Sequence, residues 1–310
     1  MWKTVLFLIF TLIIVPLFAY LYDVPLSEKQ HAVMMPVIWV YLIFAALCFI
    51  VSTLSDNYSQ VDKLWSIMPA VYAWMTAYHA NMEPRLVLVS ILISFWAIRL
   101  TYNFSRRGGY SWKFWTGDED YRWAILRAKP EFSAKWKWVL FNFFFISLYQ
   151  MGLIMLITLP MIKMIDGAPL GLFDYILAGA LVIVVILEFI ADQQQWNYQT
   201  EKYRLKAKGL PLTGIYAKGF THTGLWAYMR HPNYAAEQTV WILVYCFSIV
   251  PQQASGLTGP LRAVYCSLFY SKAALTSVKK YQKKNILSTK TIRKKCRALC
   301  LLRSGRLASY

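Results

Sequence analysis

The chain has 310 residues, of which 58% are hydrophobic and only 15% charged, and it carries a formal charge of +18. The apolar residues fall in long uninterrupted runs, which excludes an ordinary soluble domain, where charge breaks such runs up. No Cys-x-x-Cys pair occurs, and no strand is followed by a Gly-rich phosphate loop, so neither a zinc framework nor a Rossmann or Walker nucleotide fold is expected.

Val5–Tyr22, Ala32–Leu54, Leu64–Met82 and Trp138–Ile162 contain no Asp, Glu, Lys or Arg over about the twenty residues a bilayer crossing needs. The first of them is long for a signal peptide and lacks a small-residue cleavage site before Asp23, so it reads as a span. Leu86–Ile98 and Tyr175–Leu187 are shorter and are bounded by Arg85, Arg99, Asp174 and Glu188. They cross only if those end residues snorkel or face the protein interior. A further apolar stretch begins near Gln238. The expected fold is therefore all-α, a polytopic transmembrane helix bundle of six spans plus a seventh that is truncated.

The loops carry unequal charge. Arg99–Lys137 holds nine Lys and Arg and Lys202–Arg230 holds six, whereas the three loops of the opposite face hold one each: Lys29, Arg85 and Lys163. The positive-inside rule then places the N-terminus and both basic loops in the cytosol. The glycosylation-like triplets at Asn57 and Asn103 fall on that side and read as chance matches.

Near residue 251 the text changes character. All 15 acidic residues and all 13 Trp precede it, and the 60 residues from Pro251 to Tyr310 supply +13 of the net +18. Two domains follow: 1–250, a membrane domain with a modest +5, and 251–310, a basic tail. The tail reads as disordered or as frameshifted. In support of the second, permitted codons for Leu268–Arg297 read one frame over allow a peptide rich in acids and tyrosine. Basic tails often touch anionic lipid or nucleic acid, but no function is assigned to this one and no nucleic-acid partner is expected. The partners expected are the lipid bilayer and a hydrophobic small molecule.

Charged groups near the hydrocarbon are costly, so their clusters are the places to look for function. The first runs from Trp96 through Arg99, Tyr102, Asn103, Arg106 and Arg107 to the acidic patch Asp118–Arg122. Positive-inside anchoring and exposed ion pairs explain it without any ligand. The second is Glu188 and Asp192, four apart on one helix face, where like charges repel unless something binds beside them. The third is Arg230-His231-Pro232-Asn233-Tyr234 with Glu237, at the start of an apolar helix. Pro at a first helical turn is ordinary, but the density of polar groups around it is not. At one membrane surface the three would line one pocket. Arg106, Arg107 and Arg230 suit phosphates, Asp192 and Glu237 suit ribose or amide groups, and Tyr234 or Trp226 suits a flat ring.

Gly224-Leu-Trp, Tyr228, Arg230-His231-Pro232-Asn233-Tyr234 and Glu237 resemble the C-terminal signature of the steroid 5-alpha-reductase-like membrane proteins, especially their poorly characterised branch. Asp62-Lys-Leu-Trp65, Arg99-Leu-Thr-Tyr102, Arg106-Arg107-Gly108, Glu119-Asp120-Tyr121-Arg122 and Asp192-Gln193 add to the likeness. The resemblance implies an NADPH-dependent reductase of a carbon–carbon double bond in a lipid-like enone, in the endoplasmic reticulum. It further implies that Arg106, Arg107, Asp192, Arg230, His231, Asn233, Tyr234 and Glu237 hold NADPH. Asp62 and Tyr102 are candidates for the acid that polarises the carbonyl. Three departures question a steroid substrate: Trp96 stands near an expected tyrosine, Glu188 replaces an asparagine, and Ala236 replaces a glycine. Two rival readings stay open. One is a membrane methyltransferase using S-adenosylmethionine, whose isoprenylcysteine and phospholipid types carry a similar Arg-His-Pro segment. The other is an inactive, sterol-binding relative.

Overall fold

The computed structural model describes residues 25–249 and, before them, Phe10 and Ile14. The run Val5–Tyr22, those two residues apart, and the tail from 251 to 310 lie outside the described residues. All regular structure among the described residues is helical. Four helices are long and apolar enough to cross a bilayer: α1 (Glu28–Ser55), α4 (Pro84–Ser105), the run Lys135–Met164, and α8 (Leu172–Ala207). The chain is thus a membrane protein.

Each boundary follows from local chemistry. Ser27 caps α1 through a reciprocal box: the Gln30 amide N–H donates to Ser27 Oγ at 3.2 Å and the Ser27 N–H to Gln30 Oε1 at 3.1 Å. Asp56 ends α1 in the left-handed region at φ 52°. The stretch read as Leu64–Met82 is interrupted, forming α2 (Gln60–Trp65), a break, and α3 (Met68–His79), with Pro69 at the start of α3. Its 12 residues reach only about 18 Å at 1.5 Å per residue. Asn81 and Met82, both at positive φ, turn the chain into α4, which packs along α3. The run Lys135–Met164 comprises α6 (Lys135–Phe141), a π-helical segment Asn142–Tyr149, α7 (Gln150–Thr158) and a final 3-10 turn. A short α5 (Tyr121–Arg127) precedes it.

The chain divides into two compact units. The first holds the described residues through Val185 together with Trp241–Ile249. Its core packs Cys48, Val61, Tyr72, Ile146, Met151 and Ile154, all buried. Phe132, Trp138, Phe141, Phe145 and Tyr149 form a contiguous aromatic series beside it. Trp96 is fully buried and meets Trp241 edge to face at 4.9 Å, so it fills core space where the resemblance looked for a hydroxyl.

The end residues that made two short spans conditional do face inward. Arg85 and Asp174 are 4% and 0% exposed and form a bidentate pair at 2.8 and 2.9 Å. The remaining Arg85 donors reach the Ala168 and Pro169 carbonyls, and the Gly171 N–H donates to Asp174. Arg99 and Glu188 are also buried. Lys29, the lone base of another loop, pairs with Glu83 and Asp166.

The second unit comprises Ile186–Val240 among the described residues. It contains the last turns of α8, a 3-10 turn at Gly214–Tyr216, α9 (Leu225–Tyr228) and the start of α10 (Pro232–Ile249).

Candidate functional site

In the second unit, the segment between α8 and α10 is strapped along α8. Lys202 Nζ donates to the Gly219 carbonyl at 2.8 Å, Thr221 Oγ1 donates to Gln195, the Leu225 N–H donates to Gln194 Oε1 at 3.0 Å, and Trp226 Nε1 donates to the Ala191 carbonyl at 3.0 Å. Gly224 makes this possible. Its φ of 60° and ψ of −135° suit glycine, and a Cβ there would meet the Gln194 amide at 2.5 Å. The tract Gln193–Gln195, read only as the neighbour of Asp192, thus supplies two of the straps.

The strap delivers the Arg-His-Pro-Asn-Tyr segment to the flank of α8. Asn233 Nδ2 donates to Asp192 Oδ1 at 3.1 Å, joining two groups the sequence placed 41 residues apart. Asp192 and Glu188 are both 2% exposed. His231 stacks on Tyr234 with centroids 5.3 Å apart and a 28° tilt, and Trp226 stands edge-on to it at 6.3 Å. Trp226 is therefore part of the wall, whereas Tyr234, 41% exposed, keeps area for a further ring. Arg230 is exposed, and Glu237 is half-buried one turn along α10 from Asn233.

His231 Nε2 is buried and has no hydrogen-bond partner among the described residues. Burial, and secondarily the Arg230 cation, hold the imidazole below its usual pKa. It is thus neutral at pH 7, with a ring nitrogen able to bond a ligand. An unused ring nitrogen, an exposed guanidinium, a half-open phenol ring and a carboxylate–amide pair suit a phosphate-bearing, ring-containing ligand. The donor set fits a dinucleotide.

The first unit holds the remaining expected residues. Arg106 donates through Nε and Nη2 to Asn103 Oδ1 at 3.0 and 2.6 Å, and its guanidinium carbon lies 5.3 Å from the centre of the Tyr102 ring. Arg107 is exposed. Asp62 accepts from Trp123 Nε1 at 3.1 Å, and burial raises its pKa against the opposing pull of Arg122. Tyr102 lines an open apolar groove between α3 and α4.

Lys63 is the residue whose role the sequence did not reveal. It is 7% exposed, and its ammonium donates to Gln60 Oε1 at 3.2 Å and to the Phe114 and Thr116 carbonyls at 2.9 and 2.6 Å. Burial lowers its pKa, with the Asp62 charge opposing. Lys63 so clamps the loop that follows α4. The acidic patch does similar structural service: Glu119 accepts from the Tyr58 N–H, and Asp120 caps α5 through the Arg122 N–H. Asn57 donates to the Gly117 carbonyl and Asn103 is buried, so both triplet asparagines are committed to folding.

Comparison with known proteins now adds the class. The chain belongs to the family described as "Protein of unknown function (DUF1295)", whose profile matches residues 48–289, a family related to the steroid 5-alpha-reductase-like proteins. The match does not stop at the composition break near residue 251. An uncharacterized protein of Schizosaccharomyces pombe is 34% identical over 217 residues, covering 66% of this chain. The matched part spans 61% of that relative's length. No solved structure matches.

Proposed function

We propose that the protein is a membrane-embedded, NADPH-dependent reductase of a carbon–carbon double bond in a lipid-like enone. The observation that carries this reading is the neutral His231 with its unpartnered buried Nε2, set between exposed Arg230 and the ring of Tyr234. NADPH, when bound, supplies the hydride. The chain's own groups bind and orient it. Arg230 and the amino end of α10 offer positive charge to phosphate. The Asp192–Asn233 pair is the proposed contact for a ribose hydroxyl. Tyr234 stacks on a flat ring, and Glu237 accepts from an amide.

Arg106 and Arg107 are proposed phosphate ligands, each to be tested by its own substitution. For the acid that polarises the carbonyl, Asp62 has the support of a raised pKa, which favours a proton held for donation. Tyr102 has the support of its place on the groove. The proposal extends to six spans with a seventh from Gln238, a cytosolic N-terminus, and the endoplasmic reticulum membrane. The Arg-His-Pro segment also suits a methyltransferase using S-adenosylmethionine. Titration of the purified protein with each ligand separates the two. Saturable NADPH binding that Arg230→Ala weakens at least tenfold supports the reductase; saturable binding of S-adenosylmethionine alone overturns it.

A further inference from the structure

The groove between α3 and α4 has a volume of about 900 Å³ and is walled by Ile67 just before α3, by Ala70 and Trp74 on α3 and by Ala97, Ile98 and Thr101 on α4. It is open along its length, within the size range of small-molecule sites. From Ile67 to Tyr78 it runs about 16 Å, parallel to a spanning helix. Nearly all its surface is carbon. Ser94, the hydroxyl midway along, donates to the Ser90 carbonyl at 2.7 Å and accepts from Trp74 Nε1 at 2.9 Å, so it has no proton to offer.

At the other end the hydroxyls form a directed chain, and counting protons fixes its direction. Tyr110 donates its one hydroxyl proton to the Lys63 carbonyl at 2.9 Å. Ser66 Oγ lies 2.8 Å from Tyr110 OH and 3.4 Å from the same carbonyl, so its proton goes to one of these two acceptors. Thr101 Oγ1 is 3.0 Å from Ser66 Oγ and, with the Ser66 proton committed, Thr101 is the donor there as well. What Thr101 has left to offer at the groove is acceptor capacity. A ketone or ether oxygen gains nothing from it; a hydroxyl does.

We infer that this groove is a binding site for a lipid alcohol, whose hydroxyl donates to Thr101 Oγ1 while its apolar body lies along α3 and α4 toward Trp74 and Tyr78. Thr101 lies about one turn inside the end of α4 at Ser105, so the head sits near the membrane interface and the body in the hydrocarbon. That is the pose an amphiphile already holds in a leaflet. The inference stands apart from the hydride chemistry proposed above, which draws on a different hydroxyl of the same groove, Tyr102; Thr101 calls for a donor head group, which an enone lacks.

The test uses the full-length protein in phosphatidylcholine nanodiscs with two photoreactive probes, oleyl alcohol carrying a mid-chain diazirine and its methyl ether, and maps the adducts by mass spectrometry. The alcohol is expected to label Met68–His79 and Pro84–Ser105 about fivefold more than the ether. Thr101→Val removes that preference, Thr101→Ser keeps it, and Ala97→Phe reduces labelling by both probes. Equal labelling by alcohol and ether in the unaltered protein overturns the inference. So does adduct formation outside these helices, or crosslinking of the groove to a second copy or to residues 5–22 in place of lipid. NADPH titration of the same samples fails or succeeds separately, so the two readings are distinguishable.

Discussion

His231 offers the sharpest check on the site. Its imidazole is held below the usual value of 6.5 by burial first and by Arg230 second. Between its native pKa and 6.5 the unfolded chain binds more protons than the native one, so stability rises with pH across that window and is lost as pH falls from 6.5. Two-dimensional NMR of the labelled imidazole should place its midpoint below 6.5, and Arg230→Gln should move it upward by removing the lesser cause. A midpoint above 6.5 contradicts the burial described. Gly224 gives a second check: Gly224→Ala places a Cβ against Gln194 in a backbone conformation suited to glycine. It should lower the melting temperature of the detergent-solubilised protein and expose the 213–231 segment to proteolysis. Arg230-His231-Pro232-Asn233-Tyr234 stood out in the sequence because polar density beside an apolar run is costly. The shared membrane surface put Asp192 and Asn233 in one pocket, but the bond between them is not written in the pattern, because it depends on how the segment before α10 is strapped along α8.

At the scale of elements, two buried cations do different work. Arg85 is matched to Asp174 with all polar atoms engaged, so removing one partner leaves an uncompensated charge. Asp174→Ala should cost about 3–5 kcal/mol, measured as reversible unfolding in mixed micelles. A loss under 1 kcal/mol contradicts the pair's burial. Lys63 holds carbonyls only, and its removal frees the loop more than it harms the bundle. Lys63→Met should speed tryptic cleavage at Lys113 severalfold while leaving the helical circular dichroism unchanged; no change in cleavage contradicts the clamp. The apolar runs of α1, α4 and α8 were legible because a bilayer imposes a length on them. The break at Ser66–Ile67 was not, because Pro69, at the start of α3, reads as part of a continuous apolar run, and the π-helical segment has no signal in the apolar pattern. Asn142, buried at the start of that segment, donates to Ser52 and Thr53 of α1 through contacts about 90 residues distant.

At the scale of the whole molecule, the described residues form a helical membrane protein, and residues 251–310 supply +13 of the chain's net +18. The first 250 residues carry only +5. Composition made the membrane class legible, and motif density pointed to the polar segment before α10. Neither conveys which reaction follows, because a pocket's chemistry depends on side-chain orientation and on the ligand bound. Hydride transfer is read out by following an isotope from cofactor to product. The full-length protein in nanodiscs is incubated with NADPH deuterated at the transferable C4 position and with a lipid enone, and the saturated product is analysed by mass spectrometry. One deuterium per product at the beta carbon is expected, with turnover reduced at least tenfold by Arg230→Ala. Product without deuterium, or methyl transfer from labelled S-adenosylmethionine in the absence of any reduction, would contradict it.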